Sequence, residues 1–531
     1  MNFKYIKNIV PAAAVLLTVG LSSCNFLDVE PLDPSSVSTV DEAALYTKCY
    51  ANMALAGNGG ANGDCDIDGL DGGTTGFVRQ LWNANELTTD EAICAWGDTG
   101  IPAFNYNQYD ASHPMLKGFY YRLYAGINYC NHYLEVCPDA DATRKAEVRF
   151  LRALYYYYLM DCFGNVPYAT KVSTELAPRI TRADLFKTIE SELLDCIGSL
   201  LAPEARKSTD PNYGRADQDA ANLLLARMYI NAEVYTGIAR WQDAKTYAEK
   251  IINGKHHPLW TTPVNGWSAY QMLFMGDNGE SGASCEAILP LLQDGKTTTS
   301  WGTTLFLMAA AWKADMDVDK DYNTTEFWAG NRARSQLLAK FFPKGNAPAV
   351  CIKDMAEEAG DDRALFHGID RELTVITPTE FTSGYAVGKF RNTYTAGTPG
   401  HSTQFVDTDF FLMRSAEAYL IAAEADARIN GGTTSTTGTG YINELRSRAN
   451  TSTQNQFTLQ QILDERAREL YFEGFRRTDL IRFGQYHSDD YLWDWKGGVP
   501  TGVSFPATRD LFAIPADDIN TNPNLIQNPG Y

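Results

Sequence analysis

The segments DAANLLLARMYI (residues 219–230) and WQDAKTYAEKII (241–252) decide the fold. In each, apolar residues recur at the three-to-four spacing that gathers them on one face of an α-helix. Ala221, Ala226, Ala244 and Ala248 are small enough to let two helix backbones approach closely, and Trp241 opens the second helix. The two segments therefore read as an antiparallel pair. FLMRSAEAYLIAAEADARI (411–429) followed by GYINELRSRA (440–449) repeats the arrangement.

Helical periodicity extends outward from these pairs. It is strong at 117–137 and at 144–163, where Phe150, Leu151, Leu154, Tyr155, Tyr158 and Leu159 share a face. Further helices fit 181–200, 215–234, 241–253, 330–342, 409–430, 437–449 and 459–483, and Asp41 is placed to cap an early one. Strand signals are few and short, at 287–292 and 386–390. The expected fold is all-α, a scaffold of helix pairs of the tetratricopeptide kind with an irregular period. Two stretches do not fit it. Residues 57–76, GNGGANGDCDIDGLDGGTTG, are too rich in Gly, Asn and Asp to be anything but loop. A long irregular insert at about 254–408 holds Trp260, Trp267, Trp301, Trp312 and Trp328. A helical frame with one loop-rich ligand-binding face separates stability from recognition.

The first residues address the chain. Lys4 and Lys7 precede an apolar run from 9 to 21, which is too short to cross a bilayer as a helix of ~20 residues. The run ends in LSSC (21–24), a small-residue cleavage site with Cys24 at the +1 position. This reads as a lipoprotein signal peptide over 1–23, leaving a mature domain over 24–531 with acyl chains on Cys24. Several such chains anchor a protein durably where one does not. An ordinary secretory signal with an incidental cysteine is the plainer alternative. Residues 25–40 form a polar, proline-containing tether.

Loss of the leader takes the formal net charge from −20 to −22. An acidic surface of that size argues against nucleic acid and against anionic lipid heads as partners, and suits a neutral ligand. Aromatic residues make up 12% of the chain, enough for a core and an exposed platform. Ten cysteines include no CxxC and no short Cys/His set, so a zinc site is not expected. Cys130, Cys137, Cys162 and Cys196 lie in helical patterns and read as small buried hydrophobes.

No HExxH, GxSxG or P-loop is present, and no segment points to the carboxylate pair of a glycoside hydrolase. The run Asp64-Cys65-Asp66-Ile67-Asp68-Gly69 begins like an EF-hand loop, but Thr75 stands where that motif needs Glu. It reads instead as a polar loop presenting Asp71 and Arg79 to a ligand. No cofactor is required, and a structural calcium ion is the one metal left open. Asp464, Glu465, Arg466, Arg468 and Glu469, extended by Glu473, Arg476, Arg477 and Asp479, read as a solvated ion-pair face at i,i+3 and i,i+4 spacing.

Six stretches carry a resemblance that covers the mature chain: CNFLDVEPLDP (24–34), AEVRFLRALYYYYLMDCFGNVPYA (146–169), GRADQDAANLLLARMYINAEVYTG (214–237), FFLMRSAEAYLIAAEA (410–425), RARELYFEGFRRTDLIRFGQY (466–486) and NPNLIQNPGY (522–531). They resemble the SusD/RagB family of Bacteroidetes outer-membrane glycan-binding lipoproteins. AGDDRAL (359–365) and YLWDWKGG (491–498) look like its starch-binding member. The resemblance implies a non-catalytic, lipid-anchored receptor on the cell surface, acting as a lid on a TonB-dependent transporter of the SusC type.

The resemblance also implies a starch site. GFVRQLWNANELTTDE (76–91) puts Arg79 at the position of the binding arginine, with Asp71 eight residues earlier at that of the binding aspartate. Trp96 in CAWGD matches the first aromatic of the starch arc. Trp301 falls where the starch binder has a tyrosine, and Trp328, thirteen residues before Phe341, matches the second tryptophan. Thr99 replaces an asparagine, which removes one hydrogen bond to sugar. The physics agrees: pyranose rings stack an apolar C–H face on aromatics, and their vicinal hydroxyls pair with Arg and Asp. Three aromatics in an arc suit a curved α-1,4-glucan better than a flat β-glucan. The expected ligand is therefore starch or a maltooligosaccharide. The rivals are another α-glucan such as dextran or a pullulan-like chain, a glycoside hydrolase, or a helical scaffold that binds only protein.

Overall fold

Side-chain caps fix where the helices begin. In a computed structural model that describes residues 40–314, 316 and 324–531, Asp41 accepts the Ala44 amide and opens α1, Glu42–Ala54. The leader, Cys24 and residues 25–39 lie outside the described residues. α2 is Phe77–Trp82. α3, Pro114–Val136, starts at His113, whose Nδ1 accepts the Leu116 amide. α4, Ala142–Phe163, starts at Asp141 and stops at Gly164, whose φ of 74° a side chain would resist. α5 is Arg182–Cys196, α6 Gln218–Ile230, α7 Trp241–Gly254 and α8 Thr304–Ala309. α9, Ser335–Phe341, and α10, Ser415–Ile429, precede α11, Thr436–Arg448. A capping box between Thr458 and Gln461 starts α12, Leu459–Leu470, and α13 is Arg476–Arg482.

The long helices pack in sequence-adjacent pairs: α3 on α4, α4 on α5, α6 on α7 and α10 on α11. α7 also lies along α10, which joins the two halves of the array. Ala220, Ala221, Ala226, Ala244, Ala248, Ala422 and Ala425 are all fully buried. Gly126 does the same for α3 and α4, because a Cβ there would stand 2.3 Å from the Tyr155 ring. Cys130, Cys137, Cys162 and Cys196 are buried as the pattern anticipates. The fold is predominantly helical, and among the described residues its strands form two-stranded sheets. Among the described residues no helix is long and apolar enough to cross a membrane.

Three segments depart from the helical reading. Residues 410–414 are a strand paired antiparallel with 287–291, and α10 starts only at Ser415. FFLMR is buried on both faces, and so short an apolar run fits a strand or a helix equally well. Likewise 331–333 pairs with 92–94 before α9 begins. The stretch 459–483 is broken between α12 and α13, where Phe472 has φ 64° and Gly474 φ 88°.

The charges on α12 and on the segment that follows it into α13 are not a solvated face. Glu465, Glu469, Glu473, Arg466, Arg476 and Arg477 are all buried. Glu469 meets Arg414 at 2.7 Å and Arg363 at 3.2 Å, and it also pairs with Arg448. Glu473 pairs with Arg414 at 2.7 Å and Lys389 at 2.6 Å, and Glu286 with Arg414 and Arg448 at 3.0 Å each. Their main partners come from elements distant in sequence, so local spacing misplaced them. Spreading each carboxylate over several guanidinium groups satisfies charges that would otherwise be costly to bury. This network fixes α12 to the paired strands 287–291 and 410–414.

Candidate functional site

Residues from five loops meet at one cavity of about 550 Å³, whose wall includes Asp71, Arg79, Trp96, Asp98, Trp301 and Trp328. The strand pair 92–94 and 331–333 supplies two of the tryptophans. Just beyond it the Ala95 amide donates to the Gly330 carbonyl at 2.9 Å, and the Trp96 indole Nε1 donates to the Trp328 carbonyl at 2.9 Å. Gly330 is required here, because a Cβ would fall 2.3 Å from Cε2 of Trp96. Behind Trp328, its amide donates to the Ala309 carbonyl at the end of α8 and the Ala329 amide to that of Trp312, both at 2.8 Å.

The three indoles form a bent row with Trp328 in the middle. Its ring centre is 6.4 Å from that of Trp96 at 52°, and 6.1 Å from that of Trp301 at 46°. All three rings are partly exposed. Each is also pinned by its N–H: Trp301 donates to the Ala61 carbonyl at 3.1 Å and Trp328 to Glu326 at 2.8 Å. Glu326 in turn accepts from Gln404 at 2.9 Å, and Phe405 packs on Trp301 with centres 4.9 Å apart.

Arg79 is the polar floor. It stands on α2, which is docked by close approach of Gly76 to Gly302 and by the Arg79 amide donating to the Gly302 carbonyl at 3.0 Å. Its guanidinium lies 4.9 Å from the Phe306 ring centre and 5.5 Å from that of Trp96. Nη1 donates to the Gly73 carbonyl at 3.1 Å, while the buried Nε has no partner. Burial lowers the Arg79 pKa, and the Asp98 and Asp71 carboxylates pull it back up. Asp71 is held by the Thr74 amide, which donates to its Oδ1 at 2.8 Å. A desolvated guanidinium with donors to spare, beside two exposed carboxylates and a row of indoles, can hold vicinal hydroxyls under a stacked ring.

The structure thus brings Asp71, Arg79, Trp96, Trp301 and Trp328 to one cavity. Thr99 is exposed one residue beyond the wall, and Asp98 faces the cavity in its place. Asp98, Glu326 and Phe405 had no signal in the sequence, since only the pairing of distant loops puts them there. The Asp64–Gly69 loop is tied down otherwise: Asp66 accepts from Lys48 at 2.7 Å, Arg122 at 2.6 Å and Tyr129 at 3.1 Å. Among the described residues no group of three or more His, Cys, Asp or Glu side chains is placed to hold a metal ion.

Comparison with known proteins identifies relatives of the whole chain. Residues 267–531 match the model of the SusD family, and residues 25–230 match a family described as starch-binding, associating with the outer membrane. The chain is 37% identical to the starch-binding protein SusD of Bacteroides thetaiotaomicron, over the full length of both chains. It is 26% identical to SusD-like protein P2 of Formosa agariphila, covering 97% of this chain and 98% of that one. Among solved structures, a laminarin-binding SusD-like protein superposes with a TM-score of 0.66 at 21% identity, covering 92% of this chain and 99% of the other.

Proposed function

The chain belongs to the SusD family, and on that premise we propose that it is a receptor for starch and maltooligosaccharides at the cell surface. It is a glycan-binding protein and not an enzyme. The observation that supports an α-1,4-glucan is the bent row of indoles, whose successive planes are tilted by 52° and 46°. Successive glucose units of a curved chain turn in the same sense, so each can meet a ring face. A flat β-linked chain would need coplanar rings.

In this reading Trp328 holds the central sugar, and Trp96 and Trp301 hold its neighbours. Arg79 donates to the O2 and O3 hydroxyls, and Asp71 and Asp98 accept from them. Acylated Cys24 keeps the receptor at the outer membrane. It hands its glycan to a TonB-dependent transporter of the SusC type, and binding needs no cofactor.

Affinity electrophoresis tests this directly. The purified protein should be retarded in gels containing starch and run freely through dextran and laminarin. Preferential retardation by dextran or pullulan would make it a receptor for another α-glucan, and preferential retardation by laminarin would overturn the α-glucan reading.

A further inference from the structure

Trp267 stands in the irregular insert, far from the indole row in sequence and absent from the wall of its cavity. It is presented by a tight turn. The Val264 and Trp267 backbones exchange two hydrogen bonds, of 3.1 Å and 2.9 Å, across Asn265 and Gly266. Both central residues have positive φ, 52° and 87°, which is the Asn-Gly geometry of a type I′ turn. The Asn265 side chain secures the turn by donating to the Thr395 carbonyl at 3.0 Å. A rigid turn therefore holds a partly exposed indole in place.

Beneath that indole lies Arg391, its guanidinium 5.1 Å from the ring centre and its side chain almost wholly buried. Trp267 and Arg391 line a cavity of about 810 Å³ together with Gln271, Ala356, Asp362 and Asn450. That volume is in the range of small-molecule sites. Its wall is amide-rich and of mixed charge. Asp361 is neutralised by Arg363 at 2.7 Å, and Asp362 accepts from the Asn450 amide at 2.6 Å. Such a wall offers no concentrated charge to an ion. It offers an aromatic face and scattered hydrogen-bonding groups, which is the chemistry that suits a neutral polyhydroxyl ring. Pro263 and Asn450 also line a neighbouring cavity of about 690 Å³, toward which a longer chain can extend.

We infer that this cavity is a second carbohydrate site, in which a pyranose unit of a glucan stacks on Trp267. The inference rests on the reading that the ligand is a glucan. With one aromatic ring against three, the second site is the weaker, and it adds avidity toward polymers through a second contact on one chain.

The test is fluorine NMR of the mature protein labelled with 5-fluorotryptophan, titrated with maltoheptaose. Its ten tryptophans give ten signals, assigned by single Trp→Phe changes. The Trp96, Trp301 and Trp328 signals should move at low sugar concentration and the Trp267 signal at higher concentration. Ala356→Arg, which fills the second cavity from the helix Ile352–Ala359 in its wall, should abolish the Trp267 shift and leave the other three. A Trp267 signal that stays still while the other three saturate overturns the second site and leaves the first intact. A Trp267 shift that survives Ala356→Arg overturns the cavity as its cause. Failure of all four signals to move would overturn the glucan reading itself.

Discussion

Truncating the central indole, Trp328→Ala, is the perturbation from which most can be worked out. Trp328 is the only ring of the three that neighbours both others, so its loss splits the row into two unconnected halves. The change leaves the scaffold alone. Trp96 is pinned by the Trp328 carbonyl, a backbone atom that alanine keeps, and Glu326 retains its bond from Gln404. The effect is therefore on binding. Removing an aromatic anchor at the centre of a contact costs roughly 2–4 kcal/mol. At ~1.4 kcal/mol per decade, maltoheptaose affinity should fall by about 1.5–3 decades. Calorimetric titration reads the change, with circular dichroism and a urea melt to establish that the variant is folded. Trp328→Phe, which keeps a smaller ring, should fall between. If folded Trp328→Ala binds maltoheptaose like the parent, the indole row is not the glycan site.

Other outcomes follow from the same contacts. Gly330→Ala sets a methyl against Trp96 and should weaken binding by ~1 decade or more, with a lowered unfolding midpoint from the overpacked contact. Thr99→Asn lies outside the cavity wall and should change affinity far less than Trp328→Ala. Glu469→Gln leaves Arg414, Arg448 and Arg363 short of a carboxylate, so a urea melt should show a loss of about 3–5 kcal/mol. Burial alone would raise the Glu465 carboxyl, but Arg468, Arg363 and Arg446 outweigh it and hold its pKa down to about 2 against an ordinary 4.5. The stability this contributes is present above pH 4.5 and lost as pH falls toward 2, so Glu465→Gln should flatten that part of the acid-unfolding curve. Cys24→Ala should move the protein from the membrane fraction to the soluble fraction of fractionated cells.

How much of this was legible in the sequence depended on whether a signal is local. The pairs α6/α7 and α10/α11 were readable because alanines at helical spacing state both the period and the close approach. The strands at 287–291 and 410–414 set a harder case. The first stood out between turn residues, whereas the second ran without a break into α10 and looked like its first turn. The charges of α12 misled for a related reason. Arg468 and Glu465 do pair within the helix at 2.6 Å, as the spacing suggests. Yet Arg363, Arg446 and Lys340 also arrive there from other segments, so the face is covered rather than wet. In the site, the three tryptophans, Asp71 and Arg79 follow from the family resemblance of the stretches around them. Asp98, Phe405, Glu326 and the need for glycine at 330 depend on pairing between loops that no local pattern announces.

The central claim is that the cavity bounded by Trp96, Trp301 and Trp328 binds an α-1,4-glucan. Calorimetric titration of the mature protein with maltoheptaose, alongside cellohexaose, tests it most directly. The account predicts saturable heat with maltoheptaose that disappears over the same concentration range in Trp328→Ala, and none with cellohexaose. Equal or tighter binding of cellohexaose, or maltoheptaose heat that survives the loss of Trp328, would contradict it.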